Sequence, residues 1–435
     1  MYQHLMSTTE LTLGWSFYGP LIGMVILILL GVRIWAVIGL GSVIMLMTTE
    51  VLPPALLGEA LFDGVDSFAL IAVPLFILTG DVLVRTGLSN KLLDVAVATM
   101  GWQRAGLGTS AVLGCGFFAC ISGSDAADAA AIGRITIDRL VKQGYPRAYA
   151  AALIAAGACT GILIPPSISY IIIGMILGIS ASTLFLAAAV PGVLILLSVM
   201  ATNFLVNRVK GYEDSRSKFN VHSWLRTVYD ARFALAIPFV ILGGIYSGLF
   251  TPTESASVAV MITLIVGFAQ KTIRLSDVPN MLETSAKVSG VIVPIIAMSL
   301  PFAQTLASLD VPQFFVHSMT SLTDNRFLIM LSMVVILMIA GCVMETTPNI
   351  VILAPILLPL AQEIGMNDIH FCIFMITSLG IGFITPPLGL NLFVVSGVSG
   401  APVLSISRHA VYFVLCMLLV VMLIMLIPAI SLWLL

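Results

Sequence analysis

Gly161-Ile-Leu-Ile-Pro-Pro166 recurs in this chain as Gly382-Phe-Ile-Thr-Pro-Pro387, 221 residues later. The same offset places Gly144 on Gly365, and Ser124 on Glu345. Three matches at one spacing indicate two copies of one structural unit, each with a segment that Pro-Pro interrupts. In a membrane protein, paired interrupted helices are the best pointer that a sequence gives to a transport site.

The composition is that of a membrane protein. Hydrophobic residues make up 59% and charged residues 9% of the 435 positions, whereas soluble domains carry roughly 25% charged residues. The mean hydropathy is +1.11, and apolar runs long enough to cross about 30 Å of hydrocarbon recur along the chain. No basic tract suggests nucleic acid as a partner. The polar N-terminus lacks the features of a signal peptide, so we expect the first span to act as its own insertion signal.

The apolar segments predict an all-α, polytopic membrane protein. Helical spans are expected at 18–32, 34–49, 68–84, 148–178, 182–207, 233–250, 253–270, 283–308, 369–398 and 410–434. Two further apolar stretches, 106–143 and 327–364, carry polar sequences in the middle, Ser122-Gly-Ser-Asp125 and Glu345-Thr-Thr-Pro-Asn349. Non-helical backbone survives at membrane depth only where protein or a water-filled cavity satisfies its polar groups. Both stretches are therefore predicted to be re-entrant helical hairpins with polar tips.

The distribution of basic residues predicts the topology. One side of the membrane collects 18 of the 19 Lys and Arg residues if it holds Arg33, 85–147, 208–232, 271–287 and Arg408. The positive-inside rule makes that side cytoplasmic. The first hairpin then opens from the cytoplasm and the second from outside, as inverted-topology repeats require. The predicted units are a first repeat at 1–207, a cytoplasmic linker at 208–232, a second repeat at 233–435, and an interfacial amphipathic helix within 50–66.

The Pro-Pro breaks are candidate cation sites. Pro165 and Pro166 donate no backbone hydrogen bond, so carbonyl groups about one turn upstream lose their partners. A small cation can satisfy these carbonyls, and the partial negative charge of a half-helix C-terminus adds to the attraction. The second break repeats the arrangement with Pro386, and Thr385 supplies a hydroxyl. A single proline could equally form a plain kink, but two matched Pro-Pro pairs favour a site.

The hairpin tips offer hydroxyl and backbone groups, from Ser122, Gly123 and Ser124 in the first hairpin. Glu345, Thr346 and Thr347 are their counterparts in the second. Oxygen ligands of this kind suit Na⁺, and helix N-termini suit a carboxylate-bearing solute. Each tip alone could equally be a helix cap, since Ser and Thr are common N-cap residues. A site is favoured because the tips and the breaks are expected to meet near the membrane midplane.

Acidic residues within the apolar body are costly and are usually paired or functional; they are Asp125, Asp128, Glu254 and Glu345. Asp128 could pair with Arg134, and Glu254 could cap the helix that follows it, so structural and functional roles stay open for both. Asn391, after the second break, could bond a neighbouring helix or contact solute. The six cysteines lie in apolar segments without Cys-x-x-Cys spacing, which predicts neither a disulfide framework nor a structural metal.

Five motifs together carry a resemblance to a known family. They are Ser122-Gly-Ser124 with Asp128-Ala-Ala-Ala-Ile-Gly133, Ile164-Pro-Pro-Ser167, Phe250-Thr-Pro-Thr-Glu-Ser255, Glu345-Thr-Thr-Pro348 and Thr385-Pro-Pro-Leu-Gly-Leu-Asn-Leu-Phe393. From about residue 18 to the C-terminus, the chain resembles the large membrane subunit (M subunit) of TRAP (tripartite ATP-independent periplasmic) transporters. One departure is Gly31-Val-Arg33, where the family pattern leads us to expect Pro at the third position.

The resemblance implies a Na⁺-driven importer of small organic acids, with an elevator mechanism, in the bacterial inner membrane. It implies two protein partners, a small four-helix membrane subunit and a periplasmic solute-binding protein, in addition to membrane lipid and the organic acid. Na⁺ is expected as the coupling ion, with no organic cofactor. A stand-alone divalent-anion/Na⁺ symporter is the main alternative. An intramembrane enzyme is a remote one, because no histidine lies in an apolar span near the repeats.

The candidate site draws on both repeats. The candidate solute contacts are Ser122, Gly123, Ser124, Asp128, Ser167, Glu345 and Asn391. The candidate Na⁺ ligands are Ser122, Ser124, Gly161, Pro165, Thr346, Thr347, Gly382, Thr385 and Pro386. Because the site spans both repeats, the segment 68–84, both hairpins and both broken helices are expected to move together. The static frame is expected to be 18–49, 182–207, 233–270 and 410–434.

Overall fold

The computed structural model of this chain describes residues 15–49, 53, 55–213, 219–386 and 388–435. Parts of four predicted segments lie outside these ranges: 1–14 of the first repeat, 50–52 and 54 of the 50–66 segment, 214–218 of the linker, and Pro387 of the second break. All the secondary structure in the described ranges is helical, which confirms the predicted all-α class.

The first half contains ten α-helices within the described ranges. They are α1 (Trp15–Leu29), α2 (Ile34–Thr49), α3 (Ala55–Val65), α4 (Ala72–Arg85), α5 (Leu88–Met100), α6 (Gly106–Ser122), α7 (Asp125–Lys142), α8 (Arg147–Ala158), α9 (Ile168–Leu177) and α10 (Ala181–Lys210). Short 3-10 helices precede α4 at Phe68–Ile71 and follow α8 at Cys159–Ile162.

The remaining described helices follow the linker. They are α11 (Val221–Asp230), α12 (Arg232–Tyr246), α13 (Pro252–Ala269), α14 (Val278–Ser308), α15 (Val311–Leu322), α16 (Arg326–Val343), α17 (Thr346–Glu363), α18 (Asp368–Gly382), α19 (Leu390–Ser399), α20 (Val403–Leu426) and α21 (Ala429–Leu432). A 3-10 turn at Leu275–Asp277 precedes α14.

Several of these helices can span a membrane. In the described part of the chain, six helical segments are long and apolar enough, and α11 with α12 adds a seventh if this pair, bent by 68°, forms one span. The two parts of each predicted broken span are shorter apolar helices. Length and composition therefore confirm a polytopic membrane protein, while the inverted orientation of its halves stays a prediction.

The helices coincide with the predicted interruptions. Gly123 and Ser124 separate α6 from α7 within the first predicted hairpin, and Met344 and Glu345 separate α16 from α17 within the second. Likewise α8 with its 3-10 extension is separated from α9, and α18 from α19. The sequence analysis did not predict the short helices α5 and α15, each of which precedes a hairpin.

Packing divides most of the helices into two groups. The hairpin bundle comprises α6–α10 and α16–α21, and the frame comprises α1–α4 and α12–α14. Within the bundle, α10 packs on α6, α18 and α20, and α20 packs on α8. Within the frame, α4 packs chiefly on α13 and α14. The predicted mobile and static groups do not coincide with this packing, because 68–84 lies with the frame and 182–207 and 410–434 lie with the bundle. Which helices move stays a prediction.

The reason for this difference is visible along α10. Gly192 lies so close to the first break that a Cβ added there would be 3.0 Å from the carbonyl oxygen of Leu163. A Cβ on Gly116 of α6 would similarly be 2.8 Å from Leu196 of α10. A long uninterrupted helix thus covers the broken one. Absence of a break in a helix does not reveal which group the helix joins.

The start of the linker is fixed to the base of the first hairpin. Glu213 is 2% exposed, and its carboxylate accepts hydrogen bonds from the backbone N–H of Leu107 at 3.0 Å and from the Tyr145 hydroxyl at 2.8 Å. Its own backbone N–H donates to Asn207 Oδ1 at 2.9 Å. These contacts hold Glu213 against the hairpin bundle.

Candidate functional site

The first hairpin tip is a turn built on glycine. Gly123 has φ of +62°, which favours glycine, and Ser124 is extended before α7 begins at Asp125. Ser122 Oγ donates a hydrogen bond to Asp128 Oδ1 and accepts one from the backbone N–H of Ser124 at 3.3 Å. Asp128 is fully buried. Asp128 therefore contacts the Ser122 hydroxyl in the tip. It does not form the alternative ion pair with Arg134.

The first break lies directly against this tip. A Cβ added at Gly161 would be 2.6 Å from Asp128 Oδ2 and 2.8 Å from the backbone nitrogen of Asp125. The backbone N–H of Ile168 donates to the Gly123 carbonyl at 3.3 Å. Only a residue without a side chain leaves room for this approach, so Gly161 permits the tip and the break to meet as the sequence predicted.

Two carboxylate oxygens at this junction lack a hydrogen-bond partner. Among the described residues, Asp125 Oδ2 and Asp128 Oδ2 are buried without a hydrogen-bond partner. Buried polar oxygens of this kind are costly unless a partner or a cation satisfies them. Ser167 does not supply one, because its hydroxyl donates to the Ile162 carbonyl at 2.8 Å within the break itself.

The second hairpin tip has a different arrangement. Glu345 is extended at the N-cap of α17, and Thr346 and Thr347 form the first turn. Asn349 stands 221 residues after Asp128. Its amide nitrogen donates to the carbonyl oxygens of Ala340 and Met344, at 3.2 and 3.0 Å. Asn349 Oδ1 is buried without a partner in the described part of the chain.

The second break contacts the first helix of its hairpin, α16. A Cβ added at Gly382 would be 2.7 Å from the Met338 carbonyl oxygen and 2.8 Å from Gly341 Cα, both in α16. The Thr385 hydroxyl donates to the Ile381 carbonyl at 2.7 Å. Thr385 and Pro386 line a separate, largely apolar cavity of about 320 Å³ on α16. The structure thus brings Gly382, Thr385 and Pro386 to the first helix of the hairpin rather than to its tip.

A cavity of about 510 Å³ lies where the two tips face the frame. The bundle lines it with Gly123, Ser124, Asp125, Ser169, Glu345, Thr346 and Thr347 among others. The frame lines it with Lys287, Val288, Val291 and Ile292 of α14. Helices α7 and α17 both begin at this cavity. Helix N-termini attract anions.

Sequence reasoning missed Lys287. It is the one basic side chain among the described residues that line the cavity, and it pairs with Glu283 one turn earlier at 2.6 Å. The pair is exposed, so it is weak and leaves the ammonium available to a second anion. A lysine inside a long apolar helix was the signal that could have identified it.

The structure sorts the predicted residues by position. At the cavity wall lie Gly123, Ser124, Glu345, Thr346 and Thr347. Outside the cavity wall, the buried candidates are Ser122, Asp128, Gly161, Pro165, Ser167, Gly382 and Asn391. The Asn391 amide nitrogen donates to Cys159 Sγ at 3.6 Å, so a residue of the second half contacts the 3-10 helix before the first break. Glu254 lies elsewhere and caps α13, where it accepts a hydrogen bond from the Thr251 backbone N–H at 2.8 Å.

One contact joins equivalent positions of the two halves. Cys159 Sγ lies 3.2 Å from the carbonyl oxygen of Gly380, and these two residues are 221 positions apart, like the repeated motifs. A residue meets its own counterpart only close to a two-fold axis. This contact agrees with an internal repeat around the breaks, which stays a prediction.

Most of the sequence matches a family. The profile of the tripartite ATP-independent periplasmic transporter, DctM component, matches residues 21–430. The chain belongs to this family. Its members are transporter permeases, so the chain is a transport subunit of a TRAP system and not an enzyme.

Individual relatives agree. The C4-dicarboxylate TRAP transporter large permease protein DctM of Pseudomonas aeruginosa is 39% identical over 373 residues, which are 86% of this chain and 87% of that protein. The isethionate TRAP transporter permease protein DctMQ of Oleidesulfovibrio alaskensis is 34% identical over 407 residues, which are 93% of this chain but 64% of that protein. The chain thus spans about two thirds of the second relative.

A solved structure shares the fold. The crystal structure of the Alcanivorax borkumensis YdaH transporter, described as having an unusual topology, superposes with a TM-score of 0.59 over 86% of this chain and 88% of that one. Sequence identity is 14%, so the likeness concerns the fold alone.

Proposed function

We propose that this TRAP permease subunit imports a small organic anion together with Na⁺ across the bacterial inner membrane, by an elevator movement of the hairpin bundle against the frame. The observation that carries the proposal is the cavity on which both hairpin tips converge, with unpartnered buried oxygens behind it. The proposal joins a cation and an anion in one place, as symport requires.

The Na⁺ part rests on the oxygens of the two tips. Asp128 Oδ2, Ser122 and the turn at Gly161 supply hard oxygen ligands in the first half, and Asn349 Oδ1 with Thr346 and Thr347 supplies them in the second. Hard cations prefer carboxylate, hydroxyl and carbonyl oxygens. A cation at the first tip also offsets the cost of the buried carboxylates.

The solute part rests on the charges around the cavity. Two helix N-termini and Lys287 favour a bound anion there. C4-dicarboxylates and isethionate, which the names of two relatives mention, are small organic anions. We therefore assign a small carboxylate or sulfonate to this cavity, with the oxygens of Ser124, Thr346 and Thr347 as hydrogen-bond partners.

The partners and the movement rest on the family and on the packing. The family is tripartite and periplasmic, which supports a small membrane subunit and a periplasmic solute-binding protein beside this chain. The relative named DctMQ is longer than the matched region, as a fused second component would make it. The cavity lies between bundle and frame, so moving one against the other changes the side to which it opens.

Reconstitution tests this function. Proteoliposomes carrying this chain, its small membrane subunit and its binding protein are expected to take up labelled succinate or isethionate only with an inward Na⁺ gradient. Liposomes with this chain alone are expected to be inactive. Uptake by the chain alone would support the stand-alone symporter instead, and Na⁺-independent uptake by the full system would contradict the coupling.

A further inference from the structure

The linker between the halves contains a short amphipathic helix, α11, with an exposed apolar strip. Val221, Leu225 and Tyr229 are spaced by four residues and are 57%, 53% and 64% exposed. Side chains at this spacing lie on one face of a helix. We call these three side chains the apolar strip.

One side of α11 packs on α5. Trp224 Nε1 donates to the Thr99 hydroxyl of α5 at 3.1 Å. Ser223, Thr227 and Asp230 line a polar cavity of about 380 Å³ together with Lys91 and Asp94 of α5. The side that faces α5 is thus polar apart from Trp224, and the apolar strip lies outside this contact.

The apolar strip continues onto the apolar helix α12. The chain bends by 68° between α11 and α12, so α11 lies at a steep angle to α12. Phe233 and Phe239 of α12 are 41% and 74% exposed. A helix with one apolar side that bends away from an apolar helix of a membrane protein is suited to the plane of the membrane surface.

Basic side chains flank the apolar strip. The Arg232 guanidinium lies 4.2 Å from the ring centre of Tyr229 and 4.6 Å from that of Phe233, and Arg226 is exposed next to Leu225. Aromatic rings and arginines at the edge of an apolar face are typical of the headgroup region of a bilayer, where arginine reaches the phosphates.

We propose that α11 is a membrane-surface helix whose apolar strip enters the bilayer, and that Arg226 of α11 and Arg232 at the start of α12 bind anionic phospholipid headgroups. The lipid is chosen over a protein partner because the strip is continuous with the exposed aromatic side chains of α12 and carries positive charge at its edge. The attachment is local to the linker and does not depend on the solute or on the coupling ion.

The position of the strip can be measured with spin labels on single cysteines. The full chain, with its six native cysteines replaced, is placed in nanodiscs of phosphatidylcholine with phosphatidylglycerol. A label at position 225 is expected to collide readily with oxygen and rarely with a nickel chelate, and a label at Ser223 is expected to do the reverse. Equal nickel accessibility at both positions would overturn the proposal, and so would a label at 225 shielded from both agents by protein.

The headgroup contact has its own test. Association of spin-labelled phosphatidylglycerol is compared for the wild type, Arg226→Gln/Arg232→Gln and, as a charge-matched control, Arg408→Gln/Arg274→Gln. One arginine near an anionic surface contributes about 1 kcal/mol, or roughly fivefold in affinity, so the first variant should lose roughly 5- to 25-fold of its preference over phosphatidylcholine. An equal loss in the control, or no loss at all, would contradict a binding site at α11.

Discussion

The two hairpin tips occupy equivalent places in the chain but differ in charge and in contacts. At the first tip, Asp128 is a buried carboxylate against Gly161 of the break. At the second, Asn349 stands at the equivalent position and donates to two carbonyl oxygens of its own hairpin. One framework thus carries a buried carboxyl group at this position in the first half and an internally bonded amide in the second.

The two breaks also differ in their contacts. Gly161 packs on the tip of its hairpin, whereas Gly382 packs on the helix that leads to its tip. The two halves thus share a backbone arrangement, and their side chains give the two junctions different contacts. We expect the first half to bind the cation more strongly, because a carboxylate oxygen is the stronger ligand.

The largest effect is expected at the glycine that joins tip and break. Gly161→Ala places a methyl group within 2.8 Å of the Asp125 backbone nitrogen, so the tip must move and transport should be lost. The measurement is Na⁺-driven uptake, with Gly397→Ala as the control, since a Cβ there meets nothing within 4 Å. Normal uptake by Gly161→Ala would show that the close approach is unimportant.

Removal of tip hydroxyls tests whether both tips act as ligands. Ser124→Ala and Thr347→Ala should each weaken Na⁺ activation of uptake, because a lost bond costs about 1–3 kcal/mol, or roughly 5- to 150-fold in affinity. Thermal unfolding of the purified variants controls for stability. If both variants keep the Na⁺ dependence of the wild type, the tips are not ligands of the cation.

A third change separates structure from binding at the second tip. Asn349→Asp leaves the carbonyl oxygens of Ala340 and Met344 without a donor and places a carboxylate against them. We expect a loss of stability of about 1–3 kcal/mol, visible as a lower melting temperature. A variant as stable as the wild type would mean that the amide does not hold this tip together.

The smallest effect is expected at the frame wall. Lys287→Gln should raise the solute KM by up to roughly fivefold, since an exposed charge contributes about 0–1 kcal/mol, and should leave Na⁺ activation unchanged. Lys271→Gln, outside the cavity, serves as the control. A change in Na⁺ activation without a change in KM would place Lys287 in a different role.

The elements of the site were predictable because they carry strong local signals. Pro-Pro breaks and polar residues inside apolar runs mark positions where a helix must stop, and the helices end within a few residues of them. The neighbours of each helix were not predictable. Long apolar helices such as α10 and α20 have no sequence feature that distinguishes packing on the bundle from packing on the frame.

The roles of two side chains, Glu254 and Lys287, were likewise not predictable from the sequence. Glu254 was open between a cap and a functional acid, and only the bond to Thr251 decides for the cap. Lys287 lies far from the tips in sequence and joins the cavity only because α14 packs along α17. Spatial convergence of this kind depends on tertiary contacts, which the periodicity of a single helix does not encode.

The central claim is that the charged first tip binds Na⁺, and equilibrium binding of ²²Na⁺ to the purified chain tests it most directly. Asp128→Asn keeps an oxygen for the Ser122 hydroxyl and removes the charge, so the fold should survive. The account predicts saturable binding to the wild type and a loss of affinity of roughly 10- to 150-fold in the variant, from about 1.5–3 kcal/mol for a charged ligand. Unchanged Na⁺ affinity in a folded Asp128→Asn variant would contradict it.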